Sequence, residues 1–345
     1  MNILFAHFDT PIPKYLANNL IRCKSLFPSH KVILLTNVNY KFKKLNGIHI
    51  VNYLPSKNWE MVKDNLSHSP EFRKNFWFLS LGRLIAISEF VIANNSEVLH
   101  IESDVLISKD FPFEAFSQDD SEILFPQVSE NRSIASTLYL RNAKVANELI
   151  DFIKANSTEN PYVTDMQVLS KLSKLQAVNS RALPTIPSNS KSLQNNHKLN
   201  LKANEESIKH FKGVFDGANL GVYLFGDDPR NHRGKSKVRQ VILDSFFVPQ
   251  KINFVINSER NFLDIYDTEA NSAIPIYSLH IHVKSEKIFT ENYTLSYLKT
   301  AVFESSKQAE EKFYLKVFLK SALLSLIRIF KLFIKLIKSK LALRC

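Results

Sequence analysis

Short apolar runs alternate with helical periods through the first third of the chain, and this alternation narrows the possible architectures more than any other feature. Ile3–Ala6 and Lys31–Thr36 read as strands with a helix over Lys14–Leu26 between them, and Ile48–Tyr53 reads as a third strand. Glu71–Ala93 carries a long helical period, with Phe76, Leu79, Leu84, Ile87 and Val91 near one side, and Val98–Ile101 is another short strand. Strands that alternate with helices predict an α/β fold: a mostly parallel sheet covered on both faces. The 345 residues are 45% apolar, enough to bury such a core. In sheets of this kind ligands gather at the carboxyl ends of the strands.

The chemistry-bearing residues fall at such ends. In Val98–Ile107 an apolar strand leads into Glu102-Ser103-Asp104, and a second apolar run follows. Carboxylates one residue apart project to the same side of an extended backbone, and hard oxygen ligands suit Mg²⁺ or Mn²⁺. The other reading is a strand running into an acidic turn. In Ser278–Lys284, part of an expected strand Pro275–Lys284, alternation places His280, His282 and Lys284 on one face and Leu279, Ile281 and Val283 on the other. That polar face offers an imidazole to a metal and an ammonium to a diphosphate, or it is a solvent-facing edge. His282, nearer Lys284, is the preferred imidazole.

Arg83, on the long helix, is a cationic fork for a phosphate or a structural arginine. Asp216-Gly217 makes a tight turn close to Gly221. Asp165 either points into a cleft from a helix start or only caps the helix. Asp9, Thr10 and Asn37 follow the first two strands and also make ordinary turn residues. Asp227-Asp228-Pro229 reads as a turn.

The run Val98–Ile107 resembles the DXD segment of GT-A glycosyltransferases, with Glu102 in place of the first aspartate and Asp104 matching the last acid. The resemblance extends over roughly residues 1–290. It implies a divalent metal on Asp104, with Glu102 and His282 or His280 as further ligands, in the manner of the C-terminal histidine segment of retaining members. It also implies Arg83 and Lys284 at the diphosphate of a nucleotide-sugar donor, Asp9 and Asn37 at the nucleotide base, and Asp216 or Asp165 as the acid that binds or deprotonates the acceptor. The acceptor would be a glycan or a lipid-linked glycan in cell-surface polysaccharide synthesis. Two other classes stay open: a nucleotidyltransferase, against which stands the lack of a Gly-rich or Lys-bearing loop after Ala6, and a non-catalytic relative, which Glu102 would favour.

The expected organisation is one GT-A domain over 1–299, with a mobile Asn/Ser/Lys-rich loop over about 179–207, followed by a basic amphipathic helical tail over 300–345. The formal charge is +12, and Lys316–Arg344 carries eight Lys/Arg and no acid, which leaves +4 elsewhere. A charge so placed points to an anionic membrane surface and away from nucleic acid. Two cysteines, Cys23 and Cys345, make no disulfide framework, and the start of the chain does not read as a signal peptide. No uninterrupted apolar run approaches a membrane span. The expected place is the cytoplasm, peripheral to the inner face of the cell membrane.

Overall fold

The structure, a computed structural model, describes residues 1–38, 45–72, 74–175, 178–186, 201–226, 252–267 and 271–310. In chain order the first elements are β1 (Asn2–His7), α1 (Lys14–Leu26), β2 (Lys31–Thr36), β3 (His49–Asn52), α2 (Lys57–Asn65), α3 (Phe76–Asn94), β4 (Val98–Ile101) and β5 (Val105–Ile107). There follow α4 (Phe113–Gln118), β6 (Ile123–Ser129), β7 (Arg132–Ser133), β8 (Thr137–Leu140), α5 (Ala143–Glu159), α6 (Asp165–Leu175) and β9 (Ser180–Leu183). The remainder is α7 (Leu201–Phe211), β10 (Val214–Phe215), α8 (Asn219–Phe225), β11 (Asn253–Asn257), β12 (Phe262–Asp267), β13 (Ser272–His280), a 3-10 turn over Glu286–Phe289 and α9 (Glu291–Glu310).

The large sheet runs β3-β2-β1-β4-β8-β6-β7, with β9 also on β6. Pairs β3–β2, β2–β1, β1–β4 and β6–β9 are parallel, and β8 runs antiparallel to both β4 and β6. Helices cover both faces, so the expected α/β architecture is the one observed. The period of two in β1 explains it: Leu4 and Ala6 enter the core beneath α3 and α5, while Ile3 and Phe5 enter the core beneath α1. A second sheet, β10-β13-β12-β11 with β5 on β13, has its own apolar core, to which α8 and α9 contribute Leu220, Val222, Leu298 and Ala301. Only Glu102-Ser103-Asp104 separates β4, in the first sheet, from β5, in the second.

Several expectations are corrected. The strand expected over Pro275–Lys284 stops at His280. The Ile281 N–H turns to the Asp104 carbonyl at 2.7 Å, and Lys284 takes a left-handed φ of 55°. The long helix starts at Phe76 rather than Glu71, because Lys74 and Asn75 sit at φ 56° and 64°, which a helix cannot continue through. The segment expected as a mobile loop is ordered at both ends, as β9 and the start of α7; its middle lies outside the described residues. α3 at 19 residues is long and apolar enough to cross a membrane by length and composition, although Arg83 and Glu89 interrupt its apolar run. It is packed as a core helix, with Leu81, Leu84, Ile85, Ile87 and Val91 fully buried. The helix expected from Thr300 begins at Glu291; the basic stretch 316–344 and Asp227-Asp228-Pro229 lie outside the described residues.

Candidate functional site

The turn between β4 and β5 is fixed by backbone bonds on all sides. The Glu102 N–H donates to the Ser136 carbonyl at 3.0 Å, and the Val105 N–H closes on the Glu102 carbonyl at 3.0 Å. With the Ile281 bond to Asp104, these contacts pin the turn between the two sheets. Its side chains converge on the end of β13. His280 Nε2 lies 3.4 Å from both Glu102 Oε2 and Asp104 Oδ1, and Lys284 Nζ lies 2.9 Å from Asp104 Oδ2. One ligand atom each from Glu102, Asp104 and His280 falls within 4.8 Å of the others.

Burial raises the stakes of every charge here, since each of the three is under a tenth exposed. Burial alone would push the Asp104 carboxyl up; the Lys284 ammonium and His280 outweigh it and hold it well below the ordinary carboxylate range. Burial pulls His280 down, but the Asp104 and Glu102 carboxylates raise it to about 9. Burial, then the charge on His280, pushes His282 down to about 3, so it is neutral at pH 7.

The donor set fits a divalent cation. Two hard carboxylates and one imidazole suit Mn²⁺ well and Mg²⁺ acceptably. Glu102 Oε2, buried, accepts no hydrogen bond among the described residues, a lone pair left for a cation.

The imidazole that the structure sets beside the carboxylates is His280. His282 lies against it, ring centroids 4.3 Å apart, and its buried Nε2 has no hydrogen-bond partner among the described residues. The strand ends at His280, and among the described residues it is His280 that completes the three-residue group with Glu102 and Asp104. Arg83 reaches the cluster from α3, with Nη2 2.5 Å from Glu102 Oε1 and 3.5 Å from Asp165 Oδ2. Burial, reinforced by Glu102 against the pull of Arg83, raises Asp165 to about 6. Asp165 is not the cap of α6. Thr164 takes that place: its Oγ1 accepts the Gln167 N–H, and Gln167 Oε1 accepts the Thr164 N–H.

Asp216 is committed to the backbone. Oδ1 accepts the N–H groups of Ala218 and Leu220, and Oδ2 those of Gly221 at 2.7 Å and His280 at 3.0 Å. Gly221 is required there, because a Cβ would collide with the His280 carbonyl. Asp9 and Asn37 bind one another at the ends of β1 and β2: the Asp9 N–H donates to Asn37 Oδ1 at 2.9 Å and Asn37 Nδ2 to Asp9 Oδ1 at 2.6 Å.

Sequence reasoning passed over one flank of the site. Lys284 Nζ lies 5.6 Å from the centre of the Tyr15 ring, and both line a cleft of about 590 Å³ with Lys14, Ser285, Lys287 and Tyr297. No spacing in the sequence links α1 to residues so distant; only the basic start of α1 hints at it.

No protein-family model matches the chain, and no curated protein sequence matches it. Among solved structures, it is similar to the galactosyltransferase LgtC in complex with donor and acceptor sugar analogs, at 15% identity and a TM-score of 0.39 over 53% of this chain and 73% of that one. It is similar to the glycosyltransferase GlyE in Streptococcus pneumoniae TIGR4, at 16% identity and a TM-score of 0.37 over 53% of this chain and 44% of that one. Mouse xyloside xylosyltransferase 1 is similar at 8% identity and a TM-score of 0.37, over 53% of this chain and 84% of that one.

Proposed function

We propose that the protein is a glycosyltransferase that moves a sugar from a nucleotide-diphosphate-sugar donor to a glycan or lipid-linked acceptor, with a divalent metal held by Glu102, Asp104 and His280. The observation that carries this reading is the meeting of those three side chains where two sheets join, with Lys284 and Arg83 set alongside. Bound there, Mn²⁺ or Mg²⁺ would neutralise charge on the departing nucleoside diphosphate.

The other roles belong to the chain itself. Lys284 places fixed positive charge beside Asp104, where a diphosphate oxygen would lie. Arg83 holds Glu102 in place and shares its charge with Asp165. Asp165, raised to about 6, is matched to accept a proton from an acceptor hydroxyl near neutral pH. Asp216 anchors His280 through its backbone. Asp9 and Asn37, at the strand ends, would border the nucleotide base. The assignment of cell-surface polysaccharide synthesis, and of a cytoplasmic enzyme peripheral to the membrane, rests on the basic segment 316–344.

The test is hydrolysis of nucleotide sugars without acceptor, across a panel of donors, with and without Mn²⁺. Asp104→Asn should remove metal-dependent donor binding by calorimetry while the far-ultraviolet dichroism stays unchanged. Donor binding in Asp104→Asn equal to wild type would overturn the metal site. Release of pyrophosphate from a nucleoside triphosphate and a sugar phosphate would instead mark a nucleotidyltransferase.

A further inference from the structure

The segment Asp216–Gly221 is clamped between both halves of the site. On one side Asp216 holds the His280 N–H, and α8 lies so close to the His280 carbonyl that Gly221 has no room for a Cβ. On the other side Ser136 Oγ donates to the Asp216 carbonyl at 3.0 Å, and the carbonyl of the same Ser136 holds the Glu102 N–H. A Cβ at Gly217 would collide with Val128 of β6. Asn219, the first residue of α8, lies in this clamped segment, between Asp216 and Gly221 in the chain.

Asn219 is only 1% exposed, and among the described residues neither its Oδ1 nor its Nδ2 has a hydrogen-bond partner. Glu102 Oε2 and His280 Nδ1 are likewise buried without one. Buried polar atoms are nearly always paired, so an amide with both ends unpaired calls for a reason. Packing does not supply it: the neighbours Leu220, Val222 and Leu224 fill the core of the second sheet, and an apolar residue would serve as well. The chemistry of the group suggests the ligand. A carboxamide is uncharged and carries a donor and an acceptor together, the complement of a hydroxyl, which is also both. The charged groups of the site address a diphosphate; a neutral pair addresses a neutral polyol.

We propose that Asn219 reads the sugar of the donor, by hydrogen-bonding a hydroxyl of the glycosyl group that the nucleotide diphosphate carries. The role rests on the nucleotide-sugar reading of the site and adds to it a residue that determines which sugar is accepted. A site built to bond a hydroxyl rejects the analogue that lacks it, since its own polar atoms are then left unpaired.

The experiment compares wild type, Asn219→Leu and Asn219→Ala with Mn²⁺, a panel of uridine and guanosine diphosphate sugars, and the sugar-free UDP and GDP. Leu is close to Asn in shape and removes the unpaired amide, so the ligand-free Tm of Asn219→Leu should rise, by about 2 °C or more. Its affinity for the sugar-free diphosphate should stay within about two-fold of wild type, while affinity for the sugar-bearing donor falls about ten-fold or more. Should Asn219→Leu not fold, the same affinity comparison is read from Asn219→Ala. A lower ligand-free Tm with undiminished preference for the sugar-bearing donor would overturn the proposal and make the amide a structural group paired through buried water. Absence of any Mn²⁺-dependent diphosphate binding in wild type would overturn the nucleotide-sugar reading itself, and the role of Asn219 with it.

Discussion

At the scale of single residues, carboxylates in similar positions along the chain take opposite parts. Asp104 keeps its oxygens for cations, Lys284 at 2.9 Å and His280 at 3.4 Å, whereas Asp216 gives its oxygens to four backbone N–H groups. Asp216→Asn puts an NH₂ where two of those donors point. Leaving donors buried and unpaired costs about 1–3 kcal/mol each, so the variant should lose about 2–6 kcal/mol in urea unfolding. A loss below about 0.5 kcal/mol, the range of an ordinary surface change, would show that the carboxylate does not hold this turn. Cys23 gives a pH dependence. Its thiol, on the buried side of α1, is fully buried, and burial pushes it up to about 12, from an ordinary value of 9.0. Above the ordinary value the unfolded chain loses a proton that the folded chain keeps, so stability is full below pH 9 and falls as pH rises toward 12. The contribution is about 1.4 kcal/mol per pH unit in that window. Cys23→Ala should flatten this part of the curve; an unchanged slope would show that other groups cause it.

At the scale of elements, the site depends on where strands and helices stop. The α6 start is set by the reciprocal Thr164–Gln167 pair, which leaves the side chain of Asp165 free to face Arg83. Thr164→Ala should cost about 1 kcal/mol, read as a fall in Tm, with a larger proportional loss in kcat than in KM if the Asp165 carboxylate moves. Unchanged Tm would mean that the cap does not hold the helix start. The same distinction explains what could be read from the sequence. α1 and β2 have the bounds that periodicity predicts, Lys14–Leu26 and Lys31–Thr36, because local pattern and burial agree there. Glu102 and Asp104 were visible for the same reason: an apolar strand ends where they begin. The choice between His280 and His282 was not visible. Alternation tells which side chains share a face, but β13 is stopped by a tertiary bond, Ile281 to the Asp104 carbonyl, from a residue far away in sequence. Asn219 was hidden likewise, since an unpaired amide is a property of packing and leaves no spacing signal.

At the scale of the whole molecule, we propose that the uneven charge holds the protein on an anionic membrane surface. α9, described as far as Glu310, places Leu298 and Ala301 in the core of the second sheet, so a chain ending at Tyr314 keeps those residues. Beyond it, Lys316–Arg344 carries eight cations and no acid. The longest uncharged stretch of that basic run, Ser321–Ile327, is far shorter than the ~20 residues that a span needs. Arg328, Lys331, Lys335 and Lys338 recur at helical spacing, opposite Leu323, Leu326, Phe330, Phe333 and Ile337. Crossing the bilayer would bury several of these cations at roughly 2.5–3.5 kcal/mol each near the centre. Lying flat would avoid that cost: an apolar face would enter the lipid, and each cation near anionic headgroups would contribute about 1 kcal/mol. Attachment should therefore require anionic lipid and weaken as salt rises, with the apolar side chains retaining a residue of binding. The measurement is flotation with anionic and with neutral liposomes, for the full chain and for the chain ending at Tyr314. The full chain should float with anionic liposomes and be partly released by salt, and the shortened chain should stay in the dense fraction. Equal flotation of the two would refute attachment through this segment and make it a packing helix or a protein-binding one.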